Sequence, residues 1–222
     1  MVPTTHRRTV LVTLCGFALL AVSGCGGGDE TSAPTTASTS PPSSAASQTY
    51  STTAFVVPLT VTVDTALKSP PNPDSPNFLS WDAVASEENK VRFMVPVVVF
   101  RPGKETPEAP PKDHLKFLMA QAKDGAEFSK VTKISVDGRP ATLMDVTTYG
   151  PEGFLSGSLG CIERVSDKHT DPCYGIQPDL HLRLAVIDVG EGTLVAWARS
   201  RGVPDKEFHA MFERMLQSVQ FR

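Results

Sequence analysis

Cysteine is scarce in this 222-residue chain, and so are the largest aromatics: four Cys, three Tyr and two Trp. Two of the cysteines, Cys15 and Cys25, fall within the first 25 residues. The chain therefore lacks the dense framework of a small disulfide scaffold and the CxxC spacing of a zinc ribbon. It also has no excess of positive charge. Lys and Arg total 21 against 24 Asp and Glu, a formal charge of −3, which argues against a nucleic-acid partner and against electrostatic adhesion to an anionic bilayer. Beyond the N-terminus no apolar run is long enough to span a membrane. No internal repeat, no phosphate-cradling P-loop or GxGxxG, and no HxxxH or HExxH pair occurs. The 40% hydrophobic fraction nevertheless excludes a wholly disordered chain.

What is present begins with a signal. His6-Arg7-Arg8 precedes Thr9 to Val22, an apolar stretch of about 14 residues, too short for a transmembrane helix and right for a secretory h-region. Val22-Ser23-Gly24-Cys25 resembles the bacterial lipobox. The resemblance implies cleavage before Cys25, a diacylglyceryl group on its thiol and further acyl chains such as palmitate at the new N-terminus. Two or more chains hold a protein stably at a bilayer, because each buried CH₂ contributes about 0.8 kcal/mol. Residues 1–24 thus read as a lipoprotein signal peptide, exported by the general or the twin-arginine route. The mature chain is expected on the outer face of the plasma membrane, anchored without spanning it.

Residues 25–53 are dominated by Ser, Thr, Ala, Gly and Pro and show no hydrophobic period, so burial could not offset the entropy of ordering them. They read as a disordered tether reaching roughly 25–30 Å, either a plain spacer or an O-glycosylated stalk. What remains, residues 54–222, is one ordinary domain of roughly 170 residues.

Within that domain Phe55 to Val63 alternates apolar and Thr residues, the pattern of a half-buried strand. Asn77 to Trp81 is a short strand. Val91 to Phe100 is strongly apolar, with Pro96 requiring an edge or a bulge. Pro110-Pro111 and Asp113 announce a helix carrying Leu115, Leu118, Met119 and Ala122, stopped near Gly125. Two hairpins follow: Val131–Val136 and Arg139–Thr148 around Asp137-Gly138, then Leu182–Val189 and Thr193–Ser200 around Gly190-Glu191-Gly192. Phe208, Met211, Phe212, Met215, Leu216 and Val219 form the apolar stripe of a last helix, which Ser218 to Phe221 closes as a final short strand. The expected class is α+β: an antiparallel sheet of six or seven strands flanked by a mid-chain and a C-terminal helix.

Val136-Asp137-Gly138-Arg139-Pro140-Ala141, the hairpin from Leu184 to Trp197 and the amphipathic end Phe208 to Phe221 resemble the PsbP-like α/β/α sandwich. Together with the lipobox and the tether they resemble the LpqN-type lipoproteins of mycobacteria and related actinobacteria. The resemblance implies association with proteins of cell-envelope assembly and identifies no interface in this chain. The Cys-bearing insert is not part of that general pattern.

That insert, residues 149–179, lacks strong periodicity, although Phe154 to Leu159 reads as strand. Cys161 and Cys173 are an even pair in an oxidising compartment, and a bridge between them is worth about 3 kcal/mol on the chain-entropy model. Stapled in this way, the excursion is either a structural decoration or a candidate recognition loop presenting Arg164, His169, Tyr174 and Ile176. A metal site using both cysteines with His169 and Asp171 is the third reading, disfavoured because an exported pair oxidises.

Catalytic groups are harder to find. Ser156-Gly157-Ser158-Leu159-Gly160 departs from the GxSxG nucleophile elbow at its first Gly, and no helix is expected after Ser158. His114, His169, His181 and His209 read as surface side chains, Glu87-Glu88 and Asp64 as solvated, and Trp81 and Trp197 as core. No catalytic residue, metal or cofactor is expected. The leading function is a non-enzymatic protein-interaction module of the envelope, and the alternative is a carrier or sensor of a small or lipidic ligand in an apolar cleft between helix and sheet. A cavity of several hundred Å³ favours the alternative.

Overall fold

The computed structural model describes residues 47–149, 157–165, 172–175 and 177–222. The described residues open with β1 (Ser47–Ser51), β2 (Leu59–Asp64), β3 (Asp74–Ser75), β4 (Phe78–Asp82) and β5 (Lys90–Met94). Helix α1 (His114–Ala120) follows, running into a 3-10 turn at Gln121–Lys123. Next come the hairpin β6 (Ala126–Val136) and β7 (Arg139–Thr148), the short pair β8 (Ser158–Cys161) and β9 (Cys173–Gly175), and the hairpin β10 (Leu180–Asp188) and β11 (Thr193–Arg201). Helix α2 (Lys206–Gln217) and β12 (Gln220–Phe221) end it.

The main sheet is seven-stranded and antiparallel, in the order β3-β4-β5-β11-β10-β7-β6. A second sheet has the order β1-β2-β12, and β8 pairs with β9 alone. This is the expected α+β architecture. The turn between β6 and β7 places Asp137 at φ 48° and Gly138 at φ 77°, the left-handed pair that a two-residue type I′ connection requires.

Strand alternation divides the core in two. Leu79, Trp81, Val91, Phe93, Ala196 and Ile187 point to one face with β2 and α2. Phe78, Met94, Leu182, Leu184, Val195 and Trp197 point to the other, with α1 and Leu159 of β8. Covering both faces is why the central strands read as nearly unbroken apolar runs. On α2 the predicted stripe of Phe208, Met211, Phe212, Met215 and Leu216 is buried, each side chain contributing about 2 kcal/mol. The helix starts where Asp205 accepts a hydrogen bond from the Phe208 amide at 2.9 Å.

Two expectations shift. Residues 25–53 read as tether in the sequence, yet Ser47–Ser51 is a strand in register with β2, Ser47 opposite Asp64 and Ser51 opposite Thr60. Its burial is one-sided: Tyr50 packs on the core and meets Trp81 edge-on at 5.9 Å, while its hydroxyl donates to Asp74. A polar SQTYS segment joins a sheet because backbone pairing, not side-chain hydrophobicity, holds it there. The strand expected over Val91 to Phe100 stops at Met94 and lies between β4 and β11 rather than at an edge. Pro96 falls just past its end, where no ladder donor is needed.

Candidate functional site

The stapled insert is built around β8. Cys161 and Cys173 face each other across the β8–β9 pair and are joined as a disulfide. With each sulfur bonded to the other, no thiolate is left for the metal reading. Two polar side chains of the α1 region hold the backbone of β8. His114 donates from Nε2 to the Leu159 carbonyl at 3.0 Å, and Gln121 donates from Nε2 to the Ser158 carbonyl at 2.9 Å. On the other side, Val97 donates to the Cys161 carbonyl and Cys161 to the Val98 carbonyl, both at 2.8 Å. Gly160 has φ +152° and lies so close to Pro96 that a Cβ there would approach Pro96 Cβ to 2.9 Å, so only glycine fits that crossing.

His114 was expected at the surface and is instead 2% exposed. Burial holds its pKa down to about 4, against a smaller upward effect of the Leu159 carbonyl. The ring is therefore neutral near pH 7, protonated at Nε2 and bare at Nδ1, which is buried without a partner. His209 is half-buried and also held below the ordinary histidine value, chiefly by burial.

The nucleophile reading fails on geometry. Ser158 is completely buried; its Oγ accepts from the Phe100 amide at 2.9 Å and lies 3.3 Å from the Phe100 carbonyl, to which it donates. A strand rather than a helix carries it, so the sharp strand-to-helix turn of a nucleophile elbow is not formed.

The candidate recognition residues part company. Arg164 is exposed just beyond β8. Tyr174 faces the sheet, stacked on Phe78 with centroids 4.7 Å apart and edge-on to Trp197 at 5.5 Å, because it alternates with the disulfide along β9. Cys25, His169 and Ile176, with the part of the expected strand before Gly157, lie outside the described residues.

A feature that sequence reasoning did not place is an open groove of about 960 Å³ at one end of the main sheet. It runs between the loop leading into α1 and the ends of β6, β7 and β10. Val95, Leu115, Ile134 and Val186 supply apolar surface, and Lys112, Lys133, Asp188 and Glu191 bring charges of both signs. His114 contributes to the wall. The strand and helix periods located each lining element, but not the gap among them.

No family model and no curated protein matches the chain. Among solved structures it is similar to the solution structure of cyanobacterial PsbP (CyanoP) from Synechocystis sp. PCC 6803, at 11% identity and a TM-score of 0.42, covering 80% of this chain and 94% of that one.

Proposed function

We propose that the chain is an exported, lipid-anchored protein of the cell envelope whose domain is a non-enzymatic interaction module. The observation that carries this reading is the Cys161–Cys173 disulfide. It unites the two cysteines that remain after Cys15 and Cys25, and such bridges persist in oxidising compartments. This agrees with the lipobox at Cys25, read independently from the sequence. The LpqN-type resemblance adds envelope-assembly proteins as the class of partner. The groove suits an extended segment of such a protein: it is open, partly lined by apolar side chains, and charged with both signs at Lys112, Lys133, Asp188 and Glu191. The volume of the same groove favours a second reading, a small or lipidic ligand.

Labelling cells with a fatty-acid probe tests the anchor. The wild-type chain is expected to take up label and partition with membranes, whereas Cys25→Ala loses the label and is released or misprocessed. Unchanged partitioning of Cys25→Ala overturns the proposal. Native mass spectrometry of the membrane-released chain then separates the two occupants, a protein adduct supporting the first and an adduct of small mass the second.

A further inference from the structure

A second, smaller cavity opens on the face of the main sheet that the stapled hairpin covers. Its volume is about 220 Å³, the share of roughly seven liquid waters. Strand pairing builds it. Arg92 on β5 lies opposite Trp197 on β11, and Arg199, two residues farther along β11, projects to the same face. Tyr174 of β9 closes over them. The Arg92 guanidinium lies 4.8 Å from the centroid of the Tyr174 ring and 5.9 Å from that of Phe78.

The charges lining this cavity are of one sign, and the carboxylates that act on them, Asp82 and Glu88, stand outside it. Two arginines line it, and no Asp or Glu does among the described residues. Arg92 Nε is buried with no hydrogen-bond partner. Arg199 is held from outside by Glu88, its Nε donating to the Glu88 carbonyl at 3.1 Å and its terminal nitrogen lying 3.4 Å from the Glu88 carboxylate. Aromatic rings attract a guanidinium but cannot accept the directed hydrogen bonds it loses on leaving water. Burial, with added repulsion from Arg199, outweighs the opposing pull of Tyr174 and of Asp82 and draws the Arg92 pKa down to about 10, which still leaves it charged at neutral pH. Tyr174 is raised above the ordinary tyrosine value by burial, so its hydroxyl keeps its proton and can donate.

We propose that this cavity binds a small oxyanion-bearing molecule, its anionic group clamped between Arg92 and Arg199 and its body resting against Trp197, Leu180 and Leu182. An oxyanion supplies what Arg92 lacks: acceptors matched to the guanidinium fork, in a setting where exclusion of water strengthens the pairing. The apolar wall selects an anion with a hydrocarbon or aromatic body over a bare ion. This site is separate from the groove and does not depend on the function proposed for it.

Calorimetric titration of the full chain with sodium benzoate, and separately with inorganic phosphate at constant ionic strength, is the test. Saturable binding of benzoate is expected, with phosphate weaker or absent, and tighter binding of phosphate than of benzoate overturns the role given to the apolar wall. Arg92→Gln should weaken binding at least tenfold with unchanged circular dichroism, Arg92→Lys should weaken it less, and Arg101→Gln, which lies outside the cavity, should leave it unaltered. No saturable binding of either probe through the millimolar range overturns the proposal, as does undiminished binding by Arg92→Gln. If Arg92→Gln does not fold, the Arg92 Nε–H resonance of the wild-type chain decides: a shift that saturates with added anion supports the site, and an unmoved signal refutes it.

Discussion

The two faces of the main sheet are covered by different physics. Under α2 the contact is hydrocarbon on hydrocarbon, with Phe212 and Leu216 buried against β2 and the sheet. A half-buried ion-pair cluster ties its margin, where Arg183 bridges Glu213 and Asp145 at 2.8 Å each. Under α1 the helix has only seven residues; Phe117, Leu118 and Leu159 pack on the sheet, and the cover is completed by buried polar side chains, His114 and Gln121 on β8 carbonyls and Ser158 on Phe100, and by one disulfide. Burial of apolar area is insensitive to pH and redox state, whereas hydrogen bonds and crosslinks respond to both. The α1 face is therefore the more conditional half of the fold, while the α2 side also carries titrating groups, His209 and the Arg183 cluster at its margin.

The comparison breaks most visibly where the hydrocarbon is removed. Phe212→Ala deletes a fully buried ring and is expected to cost about 3–5 kcal/mol, read from denaturant melts as a lowered midpoint with an unchanged slope. Next is the staple. Replacing both Cys161 and Cys173 by Ala releases a link between positions 12 apart in sequence and should cost about 3 kcal/mol on the chain-entropy model. Hydrogen exchange should rise in β8 and β9 and stay constant in α2; equal loss in both would erase the distinction between the faces.

The smallest effect is the pH response. The folded-state pKa of His114 is depressed to about 4 from an ordinary 6.5, so the unfolded chain binds the proton more readily. Its contribution is complete above about pH 6.5 and is lost as pH falls toward 4, at most about 3 kcal/mol. Asp145 and Asp74 act in a separate window. Burial raises both, but Lys130 and Arg183 around Asp145, and Tyr50 and Thr53 around Asp74, hold them below the ordinary 3.8, so their contributions fade only at more acidic pH. His114→Gln should make the stability profile less steep between pH 6.5 and 4, leaving the slope that His209, also held below the ordinary histidine value by burial, contributes, and should leave the lower limb in place.

Much of the conditional half was hidden in the sequence. Hairpins and helices are legible because periods of 2 and 3.6 write burial into the order of residues: the stripe from Phe208 to Leu216 and the Asp137-Gly138 turn appear where expected. His114 and Gln121 carried a readable signal that was missed, since with Leu118 they stand at i, i+4 and i+7 on one helical stripe. Polar residues in an otherwise buried stripe announce backbone groups in need of partners. Strand β1 offered no such sign, because only Tyr50 of its five residues packs on the core. Both cavities were invisible for a different reason. They form between elements distant in the chain, as when Tyr174 closes over Arg92, and periodicity reports only which side a residue faces.

The late start of the expected domain has a practical edge. The first and last strands among the described residues both pair with β2, β1 on one side and β12 on the other. A fragment trimmed to begin at residue 54 would strip the first of these neighbours, baring a row of amides and carbonyls ready to recruit another molecule's strand. Soluble preparations should begin upstream of Ser47, or self-association created by the cut will be mistaken for a property of the native protein.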